Sequence, residues 1–313
     1  MNFKWTITFC SLSLLCYETA KAKGEDGRDT AWKKGAEIGL NLNFSGTSPN
    51  WSGGAANNLS GNFYFNAFRN RKHKTSSWDN VLKINVGAIS TSLKDNQGNA
   101  FRSTKKNIDN LFFDSKYGYG FKKTKWLSAY AGLNIQTQLL PGFVYSKDSI
   151  GRELKVQTSS FLSQGTSMPA LGFEAKPVDW FYARLGLGAI KQTYVINQQL
   201  YGLRNESVIA GVKKGKYIYN EFGFQIQAGL NKDLGKTKSI NVKANYLGFA
   251  PYNFAQSNSP LDSRVDLGIV AKISKYINFN YTLISIFDKD LSKPRLNAWQ
   301  NSWIVGLGFL YKM

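Results

Sequence analysis

Few residues of this chain can carry covalent or metal chemistry. Its one histidine, His73, stands between Lys72 and Lys74. A serine or cysteine nucleophile needs a base held within hydrogen-bond reach on the reacting face, and a histidine in a basic turn is in the wrong setting. The two cysteines, Cys10 and Cys16, fall in the first 22 residues, so the body of the chain has no thiolate and no Cys/His metal set. Glu25, Asp26 and Asp29 lack the spacing of a calcium loop. Gly118-Tyr119-Gly120, Gly186-Leu187-Gly188 and Gly306-Leu307-Gly308 open no helix and so make no phosphate loop. Glu221 and Asp266 could form a pair of carboxylates for glycoside hydrolysis, but inward acids near inward bases more often pair by charge. The expectation is no catalytic residue, no metal and no cofactor.

What remains is a set of charges: Lys83, Lys116, Arg184, Lys243, Arg264 and Lys272 beside Glu37, Asp114, Glu174, Glu221 and Asp266. Their significance depends on which way they face. Apolar and polar residues alternate with period two along about twelve segments. Ala36, Ile38, Leu40, Leu42 and Phe44 alternate with Glu37, Gly39, Asn41, Asn43 and Ser45. Phe222, Phe224, Ile226 and Ala228 likewise oppose Glu221, Gln225 and Gln227, and Ala183, Leu185, Leu187 and Ala189 form another stripe. Successive strand residues face opposite sides, so one side is hydrocarbon and the other carries Gly, amides and every charge named above. No apolar run after Ala22 reaches the roughly 18–20 residues of a membrane helix, whereas the segments suit the roughly 9–11 residues of a membrane strand.

The connections sort by parity. Short links (69–77, 122–125, 177–180, 233–238, 275–276) alternate with long ones (46–57, 93–106, 141–165, 195–216, 251–261, 289–301). That alternation suits a membrane barrel with short periplasmic turns and long extracellular loops. An even strand count puts both termini on the periplasmic side. Trp78, Trp126 and Trp180 stand at short turns, and Trp303 and Tyr311 on the last strand, where amphipathic rings suit a bilayer interface. The turns are basic, as at Arg69, Arg71, Lys72 and Lys74 and at Lys122, Lys123 and Lys125.

Lys4, the apolar stretch 5–15 and Ala20-Lys21-Ala22 have the layout of a secretory signal. The expected organisation is a signal peptide over 1–22, a periplasmic tail over 23–31 and a barrel over 32–313. The formal charge of +20 would suit nucleic acid, but export removes that partner; outer-membrane lipid, anionic solutes and envelope proteins remain.

Trp32-Lys33-Lys34-Gly35 leading to Leu42-Asn43-Phe44-Ser45, Asn50-Trp51-Ser52-Gly53-Gly54, Asn58-Leu59-Ser60-Gly61-Asn62, Trp78-Asp79-Asn80, Ser115-Lys116-Tyr117-Gly118-Tyr119 and Gln136-Thr137-Gln138 before Pro141-Gly142-Phe143 together resemble a domain-of-unknown-function family of the Bacteroidota. The resemblance implies an outer-membrane barrel and implies no chemistry. The chain departs from many barrels in ending Tyr311-Lys312-Met313 rather than on an aromatic residue.

These readings give an all-β fold, a single antiparallel transmembrane β-barrel of about 12 strands. The function expected of it is a narrow passive channel for small polar or anionic solutes. The alternatives are a non-conducting scaffold in an envelope complex and, last, a membrane-embedded hydrolase. The lumen-lining candidates are Lys83, Lys116, Arg184, Glu221, Lys243, Arg264, Asp266 and Lys272. Loop 141–165, with Phe143, Tyr145 and Phe161, could fold inward as a constriction or lie on the surface.

Overall fold

A computed structural model describes residues 32–45, 58–94, 100–147, 153–252, 261–274, 277–288 and 299–312. The expected signal peptide and tail lie outside the described residues, as do 46–57, 95–99, 148–152, 253–260, 275–276 and 289–298 in the links.

The strands in chain order are β1 (Lys33–Ser45), β2 (Asn58–His73), β3 (Ser76–Lys94), β4 (Ala100–Gly120), β5 (Leu127–Thr137), β6 (Gly142–Lys147), β7 (Glu153–Ser159), β8 (Ser163–Val178) and β9 (Phe181–Val195). A short helix α1 (Gln199–Arg204) follows, then β10 (Val208–Ile209), β11 (Val212–Lys213), β12 (Ile218–Leu234), β13 (Ile240–Pro251), β14 (Asp262–Lys272), β15 (Ile277–Phe287) and β16 (Gln300–Lys312). Twelve of them close into a barrel in the order β1-β16-β15-β14-β13-β12-β9-β8-β5-β4-β3-β2. The neighbours pair antiparallel throughout, with β1 returning to β16 through Glu37↔Lys312 and Leu40↔Phe309. Closure removes the unpaired edges that an open sheet would expose. The remaining strands form two hairpins, β6–β7 and β10–β11, inside the two longest links.

The side-chain parity turns the oily residues outward. Leu40, Leu42, Phe63, Leu171, Leu185, Phe222, Phe224, Ile226 and Leu307 are exposed, whereas Asn41, Asn62, Asn134, Gln225, Gln227, Asn278 and Asn280 are buried. A protein folding in water sorts these residues the other way; a barrel in lipid sorts them this way.

Two of the turns between barrel strands take only two residues, Lys74–Thr75 and Asp179–Trp180. Lys74 adopts φ 43°, the positive value that the favoured two-residue hairpins require at their first central position. Link 93–106 is corrected by the structure. Strands β3 and β4 stay paired out to Leu93↔Phe101 and Lys94↔Ala100. Backbone pairing does not depend on apolar side chains, so the hairpin continues past the oily belt, where alternation fades and a sequence pattern has nothing to register.

Inside, glycines make room for rings. Gly39 faces Tyr64 across the β1–β2 pair, Gly35 faces Phe68, and Gly229 faces Tyr182. A Cβ at Gly39 or Gly229 would overlap the ring of its partner. Each ring therefore lies on the wall where its neighbour has no side chain. Replacing Gly39 with Val should force Tyr64 out of this position and destabilise the barrel by roughly 1–3 kcal/mol. The midpoint of urea unfolding in detergent checks this, with Gly188→Val as control, because nothing stands within 4 Å of a Cβ at Gly188.

Candidate functional site: an ion-paired lumen

The lumen holds one connected group of buried charges on its β3–β12 side. Lys116 of β4 pairs with Asp79 of β3 at 2.9 Å and Glu174 of β8 at 2.5 Å. Arg184 of β9 donates through Nε to the other Glu174 oxygen at 2.7 Å, and through its Nη1 to Asp114 at 3.1 Å and Gln227 at 2.9 Å. Asp114 also accepts from the Asn134 amide. Asn134 in turn accepts from Gln225 at 2.8 Å, and the Gln225 carbonyl oxygen accepts from the Tyr130 hydroxyl at 3.2 Å. Lys116, Glu174, Arg184 and Asp114 are all buried, so each charge must be met inside the protein, and each is.

A second group crosses the barrel. Arg264 of β14 bonds Asp266 on its own strand at 2.9 Å, Gln136 of β5 at 2.9 Å and Asn110 of β4 at 3.1 Å. Between β14 and β5 the ring runs through β13, β12, β9 and β8, so these contacts span the lumen rather than follow its wall. Lys243 of β13 likewise reaches Glu37 of β1 at 3.7 Å. Lys83 stands with its ammonium 5.3 Å from the Phe112 ring. Lys272, at the end of β14, is exposed at the short-turn mouth.

A third group centres on a residue the alternation pattern assigns to the wrong face. Continued through β9, that pattern turns Ala189 outward and Lys191 away from the lumen candidates. In the structure the register jumps: Ala189 pairs with Gly223 but Gly186 with Gln225, leaving Leu187 and Gly188 bulged. Both bulged residues are exposed, and beyond them Ala189, Lys191, Thr193 and Val195 turn inward. A bulge adds one residue and so re-aims every side chain after it. Lys191 thereby reaches Asp262 at 2.6 Å, Asp288 at 2.9 Å and Glu221 at 3.7 Å. Above the Arg184 group, Tyr130, Met168, Ala170, Ala189, Leu247 and Phe249 form a buried apolar plug, which a uniformly polar lumen would not contain.

The long links cover this end. Glu153 at the start of β7 bonds Ser103 at 3.0 Å and pairs with Lys105 at 2.9 Å, both on the inward face of the extended β4. Hairpin β6–β7 thus lies on the inner side of the mouth, the inward one of the two placements open to loop 141–165. The Arg204 guanidinium ties α1 to the Thr158 carbonyl at 3.3 Å. Beneath it Val195, Leu200, Tyr201, Ile209, Ala210 and Val212 form a small core. The Tyr201 hydroxyl donates to the Val212 carbonyl at 2.8 Å, and burial raises its pKa.

Trp78, Trp126 and Trp180 are exposed at the short-turn end. Trp303 sits on β16 opposite Leu283; its side chain and that of Tyr311 lie outside what the structure describes. Among the described residues no group of His, Cys, Asp and Glu could hold a metal ion.

A closed twelve-strand barrel with an oily exterior and an ion-paired interior has the architecture of a transmembrane β-barrel. The profile of a family described as "Protein of unknown function (DUF3078)" matches residues 42–143, from the end of β1 to the start of β6. Comparison with curated proteins finds no match. Among solved structures, the translocator domain of the autotransporter NalP from Neisseria meningitidis is similar over 91% of this chain and 90% of its own, at 8% identity and a TM-score of 0.35. The CymD monoaromatic hydrocarbon channel aligns over 89% and 87% at 10% identity and TM-score 0.31. The P. putida toluene transporter TodX aligns over 90% and 78% at 11% identity and TM-score 0.30. Likeness at this level transfers no function, and the barrel stands on its own strand pairing.

Proposed function

We propose that the chain is an outer-membrane β-barrel, with its short turns and termini on the periplasmic side, that forms a narrow passive path for small polar solutes or ions. The observation that carries this reading is the cross-lumen bridge of Arg264 to Asn110 and Gln136. Twelve strands lie between the filled eight-strand barrel and the open sixteen-strand porin, and side chains that meet across the interior narrow it further. Around Lys191 the carboxylates of Glu221, Asp262 and Asp288 add a second ion-paired group toward the mouth. Purified protein in planar bilayers should show small unitary currents. Complete absence of current would reject the channel.

A second reading, a non-conducting scaffold, draws support from the ordered cover of β6–β7 and α1 over the mouth. It requires a stoichiometric envelope partner, which a pull-down from detergent extract tests. A hydrolase is disfavoured because both candidate carboxylates face cations: Glu221 stands by Lys191 and Asp266 is bonded to Arg264.

A further inference from the structure

The outward wall near the short turns carries a group of side chains that the lumen does not use. Strand pairing puts Lys34, Arg69, Asn80, Ser115 and Leu133 in one row across β1–β5. The next row toward the turns holds Arg71, Trp78, Tyr117 and Ala131. The row on the other side, Ala36, Ala67, Leu82, Phe113 and Ile135, is wholly apolar. All share the outward parity of exposed Leu40 and Phe63. Arg69 therefore stands two residues, about 6.6 Å along the strand, from the oily belt.

This polar notch is held in place. The Arg69 guanidinium lies 4.5 Å from the Trp32 ring and that of Arg71 5.9 Å from it, and Trp32 packs on Trp78 at 5.6 Å. The Trp78 indole donates to the Ser115 hydroxyl at 3.1 Å, Ser115 donates to Asn80 Oδ1 at 2.8 Å, and the Asn80 amide donates to the Arg69 carbonyl at 2.9 Å. Beside the notch runs an open groove of about 430 Å³ lined by Trp78, Ser115, Tyr117, Ala131 and Leu133. A second depression, about 310 Å³, adjoins it toward the turns at Arg71, His73 and Ser76 and shares Trp78 and Tyr117.

We propose that this face seats one anionic phospholipid, its phosphate on Arg69 and Arg71 and an acyl chain along the groove against Tyr117, Ala131 and Leu133. The inference rests on the membrane-barrel reading. A guanidinium presents forked donors that match a phosphate, and stacking on an indole holds that fork in place. An anion alone would use the arginines and leave the groove empty, and an alkyl chain alone would use only the groove. A phospholipid has both parts, and this wall offers both at the same two rows, the arginines on β2 and the groove beside them on β3–β5, with the wholly apolar row next toward the belt. The equally basic turn at Lys122 and Lys123 is exposed and lies beyond the strands rather than on the wall, so it makes a control.

The test uses the full mature chain, purified in detergent, stripped of lipid and examined by native mass spectrometry. The probes are phosphatidylglycerol, phosphatidylcholine with the same acyl chains, and inorganic phosphate. Wild type should retain one phosphatidylglycerol under conditions that strip phosphatidylcholine. R69Q/R71Q should lose at least tenfold in apparent affinity, K122Q/K123Q should bind as wild type does, and excess inorganic phosphate should not displace the lipid. L133W, which fills the groove and leaves both arginines, should also weaken binding. Both arginines are exposed, and heat-modifiable mobility on gels verifies that each variant is folded. Retention by R69Q/R71Q, equal loss in K122Q/K123Q, or displacement by inorganic phosphate would overturn the seat. Flotation with lipid vesicles separates the two claims. A wild type that does not insert refutes the membrane reading; a barrel that inserts yet binds without regard to Arg69 and Arg71 refutes the seat alone.

Discussion

Replacing Arg264 with Ser is expected to raise the unitary conductance of the barrel several-fold. Arg264 spans from β14 to β4 and β5, and no shorter side chain at that position reaches Asn110 and Gln136. Removing it leaves Asp266 without its partner on the same strand, so the opened path should also become more selective for cations. Water can replace the lost hydrogen bonds in a wet lumen, so stability should fall only by the roughly 1.5–3 kcal/mol that hydrogen bonds to a charged group contribute. R264K, which keeps the charge but lacks the fork, should conduct at an intermediate level. Planar-bilayer recordings on the three proteins decide the matter. Conductance that does not change in R264S would mean that the narrowest point lies elsewhere, at the Tyr130–Phe249 plug or under the β6–β7 cover.

Arg184 to Met should have the opposite profile, with a large loss of stability and little change in conductance. Arg184, Lys116, Glu174 and Asp114 form one buried group. Removing the arginine leaves the carboxylates facing a single lysine, and breaking a buried pair in this way costs about 3–5 kcal/mol. Neutralising the stranded carboxylates in D114N/E174Q/R184M should recover part of that loss, because the penalty comes from uncompensated charge rather than missing volume. Urea titrations of refolded protein in detergent measure both. A single variant as stable as wild type would show that the group is hydrated rather than buried.

Much of this arrangement is legible in the sequence, for a physical reason. A strand in a barrel wall has two environments that alternate with each residue, so the period-two pattern reports the wall directly. Strand β12 alternates without interruption from Glu221 to Gly229, and there the sequence assigns every side chain to its side. Strand β9 shows the limit. The one extra residue at Leu187–Gly188 reverses the assignment beyond it, so Ala189 goes inside and Lys191 becomes the centre of a group of three carboxylates. Gly188 was a visible cue, since glycine within a strand often marks a bulge. The inward Leu247 and Phe249 escaped because an apolar residue among lumen amides looks like noise in the pattern. The cross-lumen partners of Arg264 escaped because no local pattern carries the distance between strands on opposite walls.

The claim on which the rest depends is that the oily stripes touch lipid while the amide-rich stripes enclose water. Single cysteines carrying nitroxide spin labels, placed in a background free of Cys10 and Cys16, test it directly in reconstituted vesicles. Labels at Leu40, Leu171 and Phe222 should relax with oxygen, which partitions into hydrocarbon, and be shielded from a water-soluble nickel chelate. Labels at Asn62 and Gln227 should be shielded from oxygen. Strong nickel relaxation at Leu40, Leu171 and Phe222, or no relaxation by either reagent there, would place those residues in water or inside protein and contradict the barrel's membrane orientation.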